Sequence, residues 1–278
     1  MADDVTIRPA ASVADYLACQ DAQRKAWGIT DDSYVVPLAT MVGAQLHGGL
    51  VLGAFAADGK AIGLSFAFLG KVEGRLCLYS QLTGVIPGRQ GAGLGFRLKL
   101  AQRDFARAER IPRVAWSFDP LQSRNAHFNI HRLGATASRY VEDMYGRRPD
   151  PLNAGAPTDR LIVEWATDGE LLDRPPLTFD DCANFPRLIE LRDRLDGAVE
   201  PSGINPEALQ GSTPALLEIP STITTIRRDD PRRAEAWVVA IRQAFQEAFE
   251  TGRVVDGFFR DESTAIRRRY FYVLRPRD

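Results

Sequence analysis

Residues 84–95 read GVIPGRQGAGLG, five glycines in twelve positions, and they join an apolar run to a helix-like one. Glycine admits positive φ and lets another molecule approach the main chain, at an entropic cost that a plain connector has no need of. A fold containing this stretch must present the backbone of one loop, and the flanking sequence says how. Arg75 to Val85 reads as a strand running straight into the loop. After it, Leu94, Leu98, Ala101, Phe105 and Ala108 recur every three or four residues. That spacing predicts a helix burying one face and leaving Arg97, Arg103, Arg107 and Arg110 in water. Pro112 closes this helix, and Arg113 to Phe118 (RVAWSF) reads as the next strand. Strand, glycine loop, amphipathic helix and strand make an α/β layered unit over a buried sheet.

The rest of the chain is assigned around that unit. Ser12 to Trp27 reads as a helix with Ser12 as N-cap, and the runs Gly49 to Phe55 and Ala61 to Leu69 pair through an Asp58-Gly59 hairpin signal. Residues 146–159 have the composition of a long loop, followed by a strand at Leu161 to Trp165. Residues 167–215 carry Pro175, Pro176, Pro186, Pro201, Pro206 and Pro214 and read as a wrapping connector, with a short helix near Leu188 to Leu195. Asp229 or Asp230 ahead of Pro231 starts a second long helix, with Ala234, Trp237, Val238, Ile241, Phe245, Ala248 and Phe249 as its apolar stripe. Strands around Val254 to Phe259 and Arg268 to Leu274 read as a hairpin packed on it. The expected domains are therefore 1–166, a connector over 167–215, and an extension over 216–278.

Composition excludes several functions. With 278 residues the chain has room for one large domain or two modest ones. Its 35 Lys and Arg against 36 Asp and Glu, net charge -1, give no general attraction to nucleic acid or to an anionic membrane. Cys19, Cys77 and Cys182 are widely spaced, with no CxxC or Cys/His cluster, and read as buried thiols in a reducing compartment. The start is acidic with no apolar leader, and no run of 18 apolar residues occurs, so a cytoplasmic protein is expected.

The loop fails two familiar phosphate motifs. A P-loop needs Lys and then Ser or Thr after its last glycine, whereas Phe96 and Arg97 follow Gly95. The dinucleotide fingerprint needs G-x-G-x-x-G, whereas Gly91, Gly93 and Gly95 alternate. What remains is a row of bare amides at a helix start, where free N–H groups and the positive end of the helix dipole can cradle a pyrophosphate.

The pattern V-x-P-x-x-Q-G-x-G-L-G over residues 85–95, a following strand, and a short helix ending in Leu133-Gly134-Ala135 resemble the GNAT acyltransferases. The stretches WSFDPL (116–121), NAHFNIHRLGA (125–135) and EIPS (218–221) resemble more narrowly a branch with a C-terminal extension that includes amino-acid N-succinyltransferases. The resemblance implies a GNAT-type mixed, splayed central sheet flanked by helices, with a C-terminal helix plus β-hairpin extension. It implies acetyl-CoA or succinyl-CoA as acyl donor and the amine of a small molecule, an amino acid among the candidates, as acceptor. Neither nucleic acid, membrane nor metal is implied, and a homodimer is an option. Gly84, Val85 and Ile86 would pair with pantetheine amides through the main chain. Gln90, Gly91, Ala92, Gly93, Leu94 and Gly95 would hold the pyrophosphate, with Asn125 also reaching the cofactor.

Catalysis is less clearly written. Many GNAT members place a tyrosine three residues before the Leu-Gly of the short helix as general acid, but Ile130 stands there. Ser123 stands where an asparagine is frequent, with Asn125 two places on. Asp119, at the end of the second splayed strand, and Tyr140 are the catalytic candidates, with Asp119-Pro120 as a simple turn the competing reading. His127 and His131, four residues apart, read as packing or surface groups. The arginines at 227–228, 232–233 and 267–269 are solvated charge unless one of them clamps a carboxylate. Two readings other than a small-molecule N-acyltransferase stay open: a non-catalytic acyl-CoA sensor or scaffold, and an acceptor that is a protein N-terminus, a lysine or an aminoglycoside.

Overall fold

The computed structural model describes residues 5–91, 93–146, 157–169, 177–262 and 268–277. By compactness it forms two units, Met1–Trp116 with Trp165–Gly169, and Ser117–Glu164 with Glu170–Asp278. The expected long loop over 146–159 falls largely outside the described residues, as do Pro175, Pro176 and Arg267.

In the first unit, β1 (Thr6–Pro9) is followed by α1 (Val13–Trp27), α2 (Leu38–Leu46), β2 (Leu50–Phe55), β3 (Ala61–Val72), β4 (Arg75–Val85), α3 (Leu94–Ala108) and β5 (Arg113–Phe118). The last two residues of β5 belong to the second unit. Ser12 caps α1, its Oγ accepting the Asp15 N–H at 3.2 Å, and Gly28 at φ +62° ends it. Asp58-Gly59 turns β2 into β3, with Gly59 at φ +81°. The strands lie in the order β1-β2-β3-β4-β5, antiparallel as far as β4, with β4 and β5 parallel.

Strand alternation sends successive side chains to opposite faces, and each face has its helices. Val51, Leu64 and Phe66 meet Tyr16, Cys19 and Ala22 of α1 and Met41 of α2. Leu50, Leu52 and Ala54, joined by Ile62 at the register shift of β3 against β2, meet Leu94 and Leu98 of α3. Each fully buried leucine contributes about 1.5–3 kcal/mol. The result is a mixed α/β architecture with a central sheet flanked by helices.

The second unit comprises α4 (Ser123–Ala126) continuing into a π turn (His127–Arg132), β6 (Thr136–Val141), β7 (Arg160–Ala166, its last two residues belonging to the first unit), β8 (Ile189–Asp193), β9 (Val199–Ile204), β10 (Ala215–Ile219), α5 (Ile223–Asp229), α6 (Pro231–Glu250), β11 (Arg253–Asp261) and β12 (Arg269–Pro276). Strands β7-β6-β11-β12-β10 follow one another in antiparallel order. Asp230 caps α6, accepting the Arg233 N–H at 3.1 Å, and Pro231 stands first in the helix. The expected stripe is buried through Trp237, Ile241 and Phe245, and the Phe245 ring meets Tyr272 of the β11–β12 hairpin edge-on at 5.3 Å.

Three expectations are corrected. The proposed helix near Leu188 to Leu195 is strand β8, paired with β9 through a turn in which Gly197 has φ +75° and the Arg194 N–H donates to Ala198 O at 2.8 Å. Its run of apolar residues was too short to separate the two periods, and Asp196-Gly197 carried the hairpin signal. Residues 167–215 are more than a connector, since Cys182, Leu188 and Ile189 are buried. Arg103 is also buried, not wet: its guanidinium lies on the sheet side of α3 and donates to the carbonyls of Ala166 and Gly169, while Ala108 is exposed.

Candidate functional site

The site in the first unit is built almost wholly from backbone. Strand β4 pairs with β3 in regular antiparallel register except at one point, where Phe66 faces Leu82 and Ala67 faces Ser80, so Gln81 is an extra residue. A bulge of this kind bends its strand. On the other side, the registered pairs of the parallel ladder are Leu78 with Val114 and Tyr79 with Ala115, whereas β4 runs on to Val85. The two strands part just where the bulge begins. Leu82, Thr83, Gly84, Val85 and Ile86 are correspondingly half-buried.

Within that freed stretch the peptide groups are sorted by alternation. The Ile86 N–H donates to Ile62 O of β3 at 3.0 Å, so the Ile86 and Gly84 peptide groups face β3 and those of Val85 face away from it. Gln90 confirms the direction, its Nε2 donating to Val85 O at 3.1 Å across the loop. Of the three residues expected to pair with an extended ligand, Val85 is thus the one whose main chain is turned outward. Gly84 owes its missing side chain to a different neighbour: a Cβ there would lie 2.4 Å from the Trp27 ring of α1.

The loop that follows turns on an Arg89 N–H to Ile86 O bond of 3.2 Å and on three left-handed glycines, Gly88, Gly91 and Gly93, at φ +80°, +87° and +75°. Gly93 is the N-cap of α3 and brings no side-chain acceptor to the first turn. The leading N–H groups of an α-helix have no partner inside the helix and carry its positive end. Among the described residues, its chain neighbours and own helix aside, a Cβ placed on Gly88, Gly91, Gly93 or Gly95 would meet no atom within 4 Å. Gly95, inside the helix with an ordinary φ, is therefore required neither by conformation nor by packing, and it costs the helix about 0.5–1 kcal/mol against alanine. Ala92 lies outside the described residues.

Beneath the parting of the strands lies a polar layer that sequence reasoning missed. Lys99 of α3 is buried, its Nζ donating to Ser80 Oγ at 2.8 Å and standing 3.9 Å from the centre of the Trp116 ring of β5. Burial pulls its ammonium down to about 7. Ser80 Oγ is 3.4 Å from Thr83 Oγ1, which is 2.7 Å from Ser65 Oγ. Lys99 shares its face of α3 with Gln102, Arg103 and Ala106, all of them buried.

The remaining candidates belong to the second unit, where their side chains are committed. Asp119 Oδ2 accepts from Arg227 Nη1 at 2.8 Å and Oδ1 accepts the Leu121 N–H at 3.0 Å, with both charged side chains nearly buried. Tyr140 donates its hydroxyl to Asp159 Oδ2 at 2.7 Å, and burial pushes the phenol far above its ordinary value. Asp159 is saturated, taking both Nε and Nη2 of Arg242 and the Asp143 N–H as well. Tyr145 is more open, meeting Ser117 Oγ at 3.2 Å. Asn125 is exposed on α4, and Ile130 is buried in the π turn. His127 and His131 stack on one another at 4.7 Å, and burial lowers His127.

No family model matches the sequence, and no curated protein matches it. Among solved structures the chain is similar to YncA of Salmonella typhimurium with its cofactor acetyl-CoA (TM-score 0.46, 21% identity, covering 62% of this chain and 98% of that one). It is similar also to Arabidopsis thaliana Naa50 in complex with a CoA-peptide bisubstrate analogue (TM-score 0.44, 16% identity, 58% and 98%). A third is the PaiA N-acetyltransferase of Thermoplasma acidophilum in complex with coenzyme A (TM-score 0.42, 18% identity, 59% and 99%). Among the described residues no helix is long and apolar enough to cross a membrane.

Proposed function

We propose that this chain is an acyl-CoA-dependent N-acyltransferase of the GNAT type. In this reading it moves an acetyl or succinyl group from CoA to the amine of a small molecule by direct attack in a ternary complex. The observation that carries the reading is the conjunction of three features in one stretch: strands that part at Gln81, a Val85 main chain turned outward, and an open glycine cradle at the start of α3. The amides of Gly91, Gly93, Leu94 and Gly95 hold the diphosphate, where an incoming anion meets N–H donors and the helix dipole together. The pantetheine arm then lies along Val85 as an added strand, delivering the thioester to the gap. A thiolate of pKa about 8.5 leaves without full protonation near neutral pH, so the buried Ile130 at the family's acid position does not forbid turnover.

The second reading, a non-catalytic acyl-CoA sensor, is favoured by Ile130 and by the commitment of Asp119 and Tyr140 to Arg227 and Asp159. Under the transferase reading these two residues hold their surroundings in place and do not act on substrate. One experiment separates the two functions: calorimetric titration with CoA, then thiol release from acetyl-CoA and succinyl-CoA over a panel of primary amines. Binding with turnover of at least one amine is expected. Binding without any turnover would favour the sensor, and absence of binding would overturn both.

A further inference from the structure

Lys99 is chemically out of place. The chain uses lysine at only four positions, 25, 60, 71 and 99, against 31 arginines, so where charge alone is needed this sequence supplies guanidinium. Lys25, Lys60 and Lys71 are exposed. Lys99 is the buried one, and among the described residues it has no carboxylate partner, only a serine hydroxyl and an indole face. An unpaired ammonium in the interior is costly, and an arginine there could not shed its charge, whereas a lysine can.

Its position is equally specific. Ser80 follows the last registered parallel pair of β4 and precedes the bulged Gln81, and Trp116 is the neighbouring position on β5, so the Nζ atom stands at the apex where the two strands part. From that apex the hydroxyls of Ser80 and Thr83 lead along β4 to a half-buried residue in the freed stretch. Burial alone depresses the lysine. On its own helix Arg103, one turn on, is tied to backbone carbonyls, and on the strands beneath it Ser80 of β4 and Trp116 of β5 meet Nζ.

Resting on the transferase reading above, we propose that Lys99 receives the proton of the attacking amine through Thr83 and Ser80. An acceptor arrives as R–NH3+. Its proton passes to Thr83 Oγ1 as Thr83 gives its own to Ser80 Oγ and Ser80 gives its own to the neutral Nζ, leaving R–NH2 and a Lys99 ammonium. The amine lone pair forms the C–N bond to the thioester carbonyl, the C–S bond breaks, and the second amine proton leaves with the thiolate as CoA–SH. Lys99 returns its proton to water by the same hydroxyls. It acts through them and does not touch the acceptor, so it is a positioning residue of the proton path.

The sign of the pH dependence follows. The neutral amine is the working form, so kcat is full above a midpoint near 7 and is lost as pH falls through it. Two readouts test this. In protein labelled at lysine Cε and Nζ, the NMR signal that is missing from Lys99→Met is expected to titrate near 7. In acetyl-CoA turnover over the amine panel, Lys99→Met and Lys99→Arg should each lose on the order of 100-fold in kcat and lose the acidic limb. CoA affinity should be unchanged in both. Ser80→Ala should lose kcat while its lysine still titrates near 7. A Lys99 midpoint above about 9, or a Lys99→Met enzyme that keeps both its kcat and its limb, would overturn the relay while leaving the transferase standing. A wild-type protein that binds no CoA, or binds it without releasing thiol to any amine, would overturn the transferase reading and the relay with it.

Discussion

The glycine loop of the first unit and the polar cluster of the second are opposites in construction. Around Gly91 and Gly93 the donors are main-chain N–H groups, Gly93 brings no side-chain acceptor to the start of α3, and among the described residues a Cβ at either glycine would meet nothing within 4 Å beyond its chain neighbours. Around Asp119, Tyr140 and Asp159 the donors and acceptors are side chains, and they satisfy one another: Asp159 alone takes four hydrogen bonds. A binding site keeps its hydrogen-bonding capacity unspent, whereas a structural network spends it. By that criterion the acidic cluster ties strands β6 and β7 to α6, and the loop is the place where we propose a ligand binds.

That contrast can be broken, and the largest effect is expected where the network is cut. Arg227→Met leaves the nearly buried Asp119 carboxylate without its cation and should cost about 3–5 kcal/mol of stability, read by urea denaturation. CoA affinity of the molecules that remain folded should not change. A variant of unchanged stability that lost kcat instead would return Asp119 to the active site. Next is Gly95→Asp. A carboxylate in the first turn of α3 favours the helix but meets the diphosphate, so CoA affinity should fall by on the order of 100-fold at undiminished stability. Tyr140→Phe removes one of the four hydrogen bonds to Asp159 and should cost about 1 kcal/mol, with kcat unchanged. The smallest change is the most pointed: Gly95→Ala should stabilise the protein by about 0.5–1 kcal/mol while weakening CoA binding. A loop whose glycines serve only to turn the chain would gain the stability and lose nothing.

The same contrast explains what could be read from the sequence. Strand β4, α3 and β5 were legible because their constraints are local: alternating glycines, a helical stripe, a closing proline. Asp58-Gly59 marks its hairpin, and Asp196-Gly197 marks a second, β8 to β9, where the apolar spacing alone predicts a helix. The bulge at Gln81 was not legible, since it exists only in the pairing of β4 against β3. Nor was the fate of Asp119, whose partner Arg227 lies 108 residues along the chain. Side-chain chemistry depends on such distant neighbours, and a residue type alone does not say whether its charge is free or spent. Lys99 and Arg103 were hidden for a related reason. Both sit on the sheet side of a helix whose cationic residues were expected to be wet, and only the packed structure shows what each one meets.

The main-chain amides of Gly91, Gly93, Leu94 and Gly95 are proposed to bind the diphosphate of an acyl-CoA. An amide-resolved NMR titration of the 15N-labelled protein with CoA tests this most directly. Large downfield shifts of the Gly91, Gly93, Leu94 and Gly95 N–H signals are expected, saturating together. Binding that leaves those four signals in place, or that moves only resonances elsewhere, would contradict it.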